Sequence, residues 1–132
     1  MRELAYHTLE ELQLIARVSR VNILIVGDMP VSDRDEVLRT IRQQRGLDVF
    51  HAQRPAEFVL PNRADLILVV DDACELSRVD QNRLLRWMGR NQGLIVSFAS
   101  HSLYRIVCEG RFIERLYYQL NTFCVTLTGD CD

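Results

Sequence analysis

Short unbroken apolar runs alternate along this chain with longer segments whose apolar residues recur at helical spacing. Val21-Asn22-Ile23-Leu24-Ile25-Val26 ends at Gly27-Asp28, Leu66–Val70 ends at Asp71-Asp72, and Leu94–Phe98 is a third run of the same kind. Such β-branched runs mark strands buried on both faces, as in a parallel sheet under helices. Leu47–Ala52 predicts a shorter strand and Phe123–Leu127 a closing one. Ahead of the first strand, Leu4, Leu9, Leu12, Ile15, Ala16 and Val18 predict a helix over 3–19, and Thr8 with Glu11 is placed to form a capping box for a shorter version. Ser32 or Asp33 is the expected N-cap of a helix through Val37, Leu38 and Ile41 to about Arg45, stopped by Gly46. Further helices are expected over about Arg78–Arg90, Leu103–Val107 and Ile113–Leu120, with residues 53–63 irregular around Pro55 and Pro61.

Strands alternating with helices imply an α/β fold, here a three-layer αβα sandwich on a mainly parallel five-stranded sheet. With 132 residues and no repeat, linker or low-complexity tract, residues 1–132 are expected to form one domain. The net charge is −2 and all 16 basic residues are arginine, so nothing draws the chain as a whole toward nucleic acid and no lysine is available for chemistry. No run approaches the ~20 apolar residues of a membrane span. Without a signal-peptide pattern at Met1-Arg2-Glu3-Leu4, a cytoplasmic protein is expected. Cys74, Cys108, Cys124 and Cys131 are then expected to be free thiols, and with His7, His51 and His101 scattered no metal site is expected.

Two segments carry a specific resemblance. Val70-Asp71-Asp72-Ala73-Cys74-Glu75-Leu76-Ser77 runs on through Gln81-Asn82-Arg83-Leu84-Leu85-Arg86, and Glu109-Gly110-Arg111-Phe112 runs on to Leu116-Tyr117-Tyr118-Gln119-Leu120-Asn121. They resemble, in order, the L-D-E-x-G-E-L-P…L-Q-x-x-L-L-R and E-G-x-F-R-x-D-L-Y-Y-R-L-N strings of the AAA+ ATPase domain of sigma-54-dependent transcription activators (bacterial enhancer-binding proteins). The resemblance covers roughly residues 3–127 and is sharp from 66 to 127. It implies a P-loop NTPase-like fold. Leu84, Leu85 and Trp87, like Phe112, Leu116 and Leu120, also read simply as core stripes of helices; the Glu109-Gly110-Arg111 and Tyr117-Tyr118 strings do not.

The working parts implied by the family are altered. Its phosphate loop, G-E-x-G-T-G-K-E, uses glycine N–H groups and a lysine to hold phosphates. Here Gly27-Asp28-Met29-Pro30-Val31-Ser32-Asp33-Arg34-Asp35 keeps the first glycine and has no lysine, with Arg34 a poor replacement because a planar fork differs from a point charge. The Walker B acids correspond to Asp71 and Asp72, the second a methylene shorter than the family's Glu. Ile113 and Gln119 stand where the family has arginine fingers, and His101 stands near its polar sensor. The sigma-54 contact string G-A-F-T-G-A does not occur, and the C-terminal helical lid is expected to be missing, the chain reaching Thr128-Gly129-Asp130-Cys131-Asp132 where the lid would begin.

The expectation is therefore a vestigial nucleotide site at Gly27, Arg34, Asp71 and Asp72, with no catalytic residue, no ATP or magnesium cofactor and no ATPase activity. The expected role is a regulatory, protein-interaction one in transcription, with Arg111, Phe112, Arg115, Tyr117 and Tyr118 as interaction candidates. The partner would be an intact sigma-54 activator or a second copy, with neither membrane nor direct DNA contact. Two alternatives stay open: a receiver-like signalling domain using Asp71, and a residual ATP-binding domain.

Overall fold

A computed structural model describes residues 21–54, 57–63, 65–90 and 94–126. The helix expected over 3–19 lies outside these residues. In chain order the elements are β1 (Ile23–Val26), α1 (Val31–Arg45), β2 (Asp48–His51), β3 (Leu66–Val70), a 3-10 turn (Ala73–Glu75), α2 (Arg78–Arg90), β4 (Leu94–Ala99), α3 (Leu103–Cys108), α4 (Glu114–Leu120) and β5 (Phe123–Thr126).

The sheet order is β2-β3-β4-β1-β5 and every pairing is parallel. Ile23 is in register with Val96 on one side and Phe123 on the other. The chain thus leaves β1 for the far edge, returns strand by strand to β4, and crosses β1 to place β5. This order also overturns the receiver-like alternative, in which β1 lies between β2 and β3.

Pleating sends alternate residues to opposite faces, so the unbroken runs supply two cores. Ile23, Ile25, Ile67, Val69, Leu94, Val96 and Phe98 pack under Val37, Leu38 and Ile41 of α1. Leu24, Val26, Leu66, Leu68, Val70 and Ile95 pack against α2, α3 and α4 through Leu84, Trp87, Ile106, Leu116 and Leu120. All residues of β1, β3 and β4 are buried, while the edge strands β2 and β5 are largely half-exposed. The expected three-layer sandwich is observed.

Local chemistry sets the element ends. Gly46 stops α1 at φ 66°, returning its N–H to the Arg42 carbonyl at 2.8 Å, a left-handed cap that favours glycine. The start of α1 differs from expectation: the N-cap is Pro30 and not Ser32 or Asp33, and the Pro30 carbonyl accepts from the Asp33 and Arg34 amides. Proline fits there because its φ is preset and a helix start needs no donor from it. Asn22 ties together the amino end of the sheet just before β1, accepting from the Ile95 amide at 3.0 Å and donating to the Gln119 carbonyl at 2.9 Å. Cys74 and Cys108 are free thiols, as expected, whereas Cys124 is disulfide-bonded. That corrects the expectation for Cys124, which rested on redox compartment and is blind to whether a fold brings two sulfurs together.

Candidate functional site

In an open parallel sheet, ligands bind beyond the carboxyl ends of the strands where the order reverses. Here that place lies beyond β1, β4 and β3, and it gathers Gly27, Arg34, Asp71 and Asp72. Gly27 leaves β1 at φ 131°, a conformation open to glycine, and donates its N–H to the Ala99 carbonyl of β4 at 2.9 Å. Only Gly27–Pro30 connects β1 to α1, and Met29 within it is buried in the core beneath α1. The connection therefore turns an apolar side chain inward where a phosphate loop would open.

Arg34 extends from the first turn of α1 across this cleft. Its Nε donates to the Met29 carbonyl at 3.3 Å and its Nη1 to the Asp71 carbonyl, just past β3, at 2.9 Å. Between those anchors the guanidinium lies 4.9 Å from the ring centroid of Phe98, on the intervening strand β4, a cation–π contact. Asp33, beside it in the same first turn, is 5% exposed, so the positive end of the α1 dipole already faces a carboxylate of the chain itself.

The two acids beyond β3 are differently engaged. Both carboxylate oxygens of Asp71 meet His51 Nδ1, at 3.1 and 3.2 Å, in a contact open to solvent on both sides. Asp72 faces inward: one oxygen accepts from the Cys74 amide at 3.1 Å and caps the 3-10 turn, and the other accepts from the Ser100 hydroxyl at 3.1 Å. The Ser100 amide approaches the first oxygen at 3.5 Å, and Ser100 Oγ also meets His101 Nδ1 at 3.0 Å. The Asp72 backbone is held as well, its N–H donating to Gln53 Oε1 at 2.7 Å and its carbonyl accepting from Gln53 Nε2 at 2.8 Å. Burial pushes the neighbouring Cys74 thiol above its ordinary pKa, with the Asp72 charge adding to the effect. Among the described residues, no three His, Cys, Asp or Glu side chains converge as a metal site.

The interaction candidates divide. Arg111, Arg115 and Tyr118 are exposed, and Arg111 donates to the Glu109 carboxylate through Nε at 3.0 Å. Phe112 and Tyr117 are 3% and 4% exposed and belong to the core, so their side chains pack against α2 and α3 instead of facing a partner. The residue that joins the two family strings is Gln81, 1% exposed on α2. Its Nε2 donates to the Leu76 carbonyl at 3.0 Å and the Arg111 carbonyl at 3.1 Å, and its Oε1 accepts from the Ile113 amide at 2.8 Å. Sequence reasoning passed over it, although a polar residue three before Leu84 and six before Trp87, on the buried stripe, is a readable signal. Gln53, Ser100 and His51 left no such signal, since the Asp71 and Asp72 groups they hold lie about twenty or more residues away.

Comparison with known proteins agrees with this architecture. Residues 9–129 match the model of the family described as the sigma-54 interaction domain. No curated protein sequence matches significantly. Among solved structures, NtrX from Brucella abortus in complex with ATP is similar at a TM-score of 0.74 and 20% identity, over 96% of this chain and 36% of that one. The ADP complex of the same protein gives 0.73 and 19%, over 96% and 37%. The P-loop NTPase domain of a sigma-54 activator from E. coli gives 0.64 and 16%, over 89% of this chain and 98% of that one. This chain thus spans about a third of the NtrX chains and nearly the whole of the isolated NTPase domain. With a family match over most of its length and the fold to accompany it, the chain belongs to the sigma-54 interaction domain family.

Proposed function

We propose that this domain works as a non-hydrolysing member of its family, regulating transcription in the cytoplasm by binding a protein partner. The observation that carries the reading is Arg34, tied at both ends to backbone carbonyls and laid over Phe98 across the cleft between β1 and β3. A nucleotide triphosphate needs donors pointing into that cleft and a mobile cation for its terminal phosphates. Pro30 has no N–H to offer, Met29 is buried, Asp33 repels a polyphosphate, and the Asp72 carboxylate is already hydrogen-bonded on both oxygens. These residues do not fit Mg-ATP, although the similar NtrX structures hold ATP and ADP.

Ile113 and Gln119 support the same reading from the other side of the machinery. Ile113 is half-buried and spends its amide on Gln81, and the Gln119 carbonyl is held by Asn22. A subunit of this kind, seated beside an intact activator, would present apolar and neutral groups where the family presents arginine fingers, and so block hydrolysis at the shared interface. Calorimetric titration with Mg-ATP tests the central claim: no saturable heat is expected, and micromolar binding would revive the residual ATP-binding alternative. Failure of the chain to co-purify with, or inhibit, any activator ATPase of its source would sink the proposed partnership.

A further inference from the structure

At the opposite end of the sheet, before β3 begins, a surface cavity of about 570 Å³ opens between α2 and the segment Leu60-Pro61-Asn62. Three arginines of α2 line it: Arg83, Arg86 and Arg90. Trp87 forms part of its wall and fixes its shape, donating its indole N–H to the Pro61 carbonyl at 2.7 Å. Arg83 is committed within the fold, with Nη1 donating to the Phe58 carbonyl at 2.8 Å and to Asp80 at 3.0 Å. Arg86 and Arg90 are exposed, and among the described residues neither guanidinium is paired with a carboxylate or bonded to a carbonyl. In a chain whose net charge is −2, this is a local concentration of uncompensated positive charge in a concave, partly apolar setting.

We propose that this cavity is a docking site for an extended acidic peptide segment of a protein partner. Arg86 and Arg90 are one helical turn apart, about 6 Å along the axis. Residues i and i+2 of an extended chain are about 6.7 Å apart and point the same way, so two alternate Asp or Glu side chains meet the two guanidinium forks. The cavity also accommodates the backbone between them against Leu60 and Pro61, which a lone small anion would leave empty. A duplex nucleic acid is poorly suited, since two unpaired arginines on a net-acidic chain give little of the counterion-release drive that such binding needs. The site lies away from the Arg34 cleft and does not depend on whether that cleft holds nucleotide.

Trp87 is the chain's one tryptophan and supplies its own reporter. The test titrates the full chain with blocked tetraglutamate, following Trp87 emission, with tetraglutamine and inorganic phosphate as comparison probes. A saturable change is expected with tetraglutamate alone, weakening as salt rises. The Arg86→Gln/Arg90→Gln double variant, altered only at exposed positions, is expected to bind roughly tenfold more weakly, while Arg39→Gln/Arg42→Gln on α1 responds as the parent does. The proposal is overturned by no response to tetraglutamate, by an equal response to tetraglutamine, or by unchanged affinity in the double variant. An equal response to phosphate would assign the cavity to small anions and overturn the peptide as its occupant.

Discussion

Replacing Gln81 with leucine removes one side chain and three hydrogen bonds while leaving the volume of the site nearly filled. Gln81 is 1% exposed, and its amide ties the end of the 3-10 turn at Leu76 to the turn between α3 and α4 at Arg111 and Ile113. A net hydrogen bond contributes about 1 kcal/mol, and a buried donor or acceptor left alone costs about 1–3 kcal/mol. The Ile113 amide and the Leu76 carbonyl lose a partner, while the Arg111 carbonyl, on an exposed residue, regains water. The expected destabilisation is therefore about 3 kcal/mol, a large fraction of the roughly 5–15 kcal/mol that holds a domain together. With a urea dependence of about 1–3 kcal/mol per molar, the unfolding midpoint falls by roughly 1–3 M, read from the emission of buried Trp87. Native-state hydrogen exchange locates the damage, since the Ile113 amide should exchange faster. A control, Asn82→Ala, removes an exposed bond to the Arg78 carbonyl and is expected to cost less than about 0.5 kcal/mol. If Gln81→Leu unfolds within about 0.5 kcal/mol of the parent, or the Ile113 amide exchanges no faster, Gln81 is not the tie described here.

Ser97 is fully buried on β4 and its hydroxyl has no hydrogen-bond partner among the described residues, so Ser97→Ala is expected to stabilise the fold by about 1 kcal/mol and raise Tm by a few degrees; a lower Tm refutes it. Asp72→Ala removes the cap of the 3-10 turn and the Ser100 link, with an expected loss of about 1–2 kcal/mol in chemical denaturation. Asp71→Ala breaks only the solvent-open contact with His51 and should cost about 1 kcal/mol or less; the reverse ranking would contradict the assignment of inward and outward acids. The folded Cys74 thiol is raised above the 9.0 at which the free group ionises, so the unfolded chain loses that proton first. Its contribution to stability is complete below about pH 9 and declines as pH rises through the folded value. Iodoacetamide should accordingly modify Cys74 more slowly in the folded protein at pH near 9 than in urea, and equal rates would count against the burial argument.

What could be read from the sequence was what local pattern controls. The runs at β1, β3 and β4 had to be doubly buried strands, Gly46 had to end α1, and the span of α2 followed from its apolar stripe. The remainder depends on distant partners. Arg34 is one arginine among 16, and nothing near it in the chain reveals that it reaches the Asp71 carbonyl and covers Phe98. The same limit applies to Gln53, whose amide pairs with the Asp72 backbone as a neighbouring strand would. Family strings located Phe112 and Tyr117 correctly in the chain but could not say that both point into the core.

The position of β1 has a consequence for how the molecule assembles. It is the first described strand to be synthesised, yet its two neighbours, β4 and β5, are the last two, with Ile23 waiting for both Val96 and Phe123. β2 and β3 pair with each other early, while β1 remains an apolar ribbon with both hydrogen-bonding edges open until the end of the sheet emerges. Such late closure of a central strand slows folding and lengthens exposure to aggregation. A ribosome-stalled chain ending before β4 should therefore be held by chaperones, and release should come with β5.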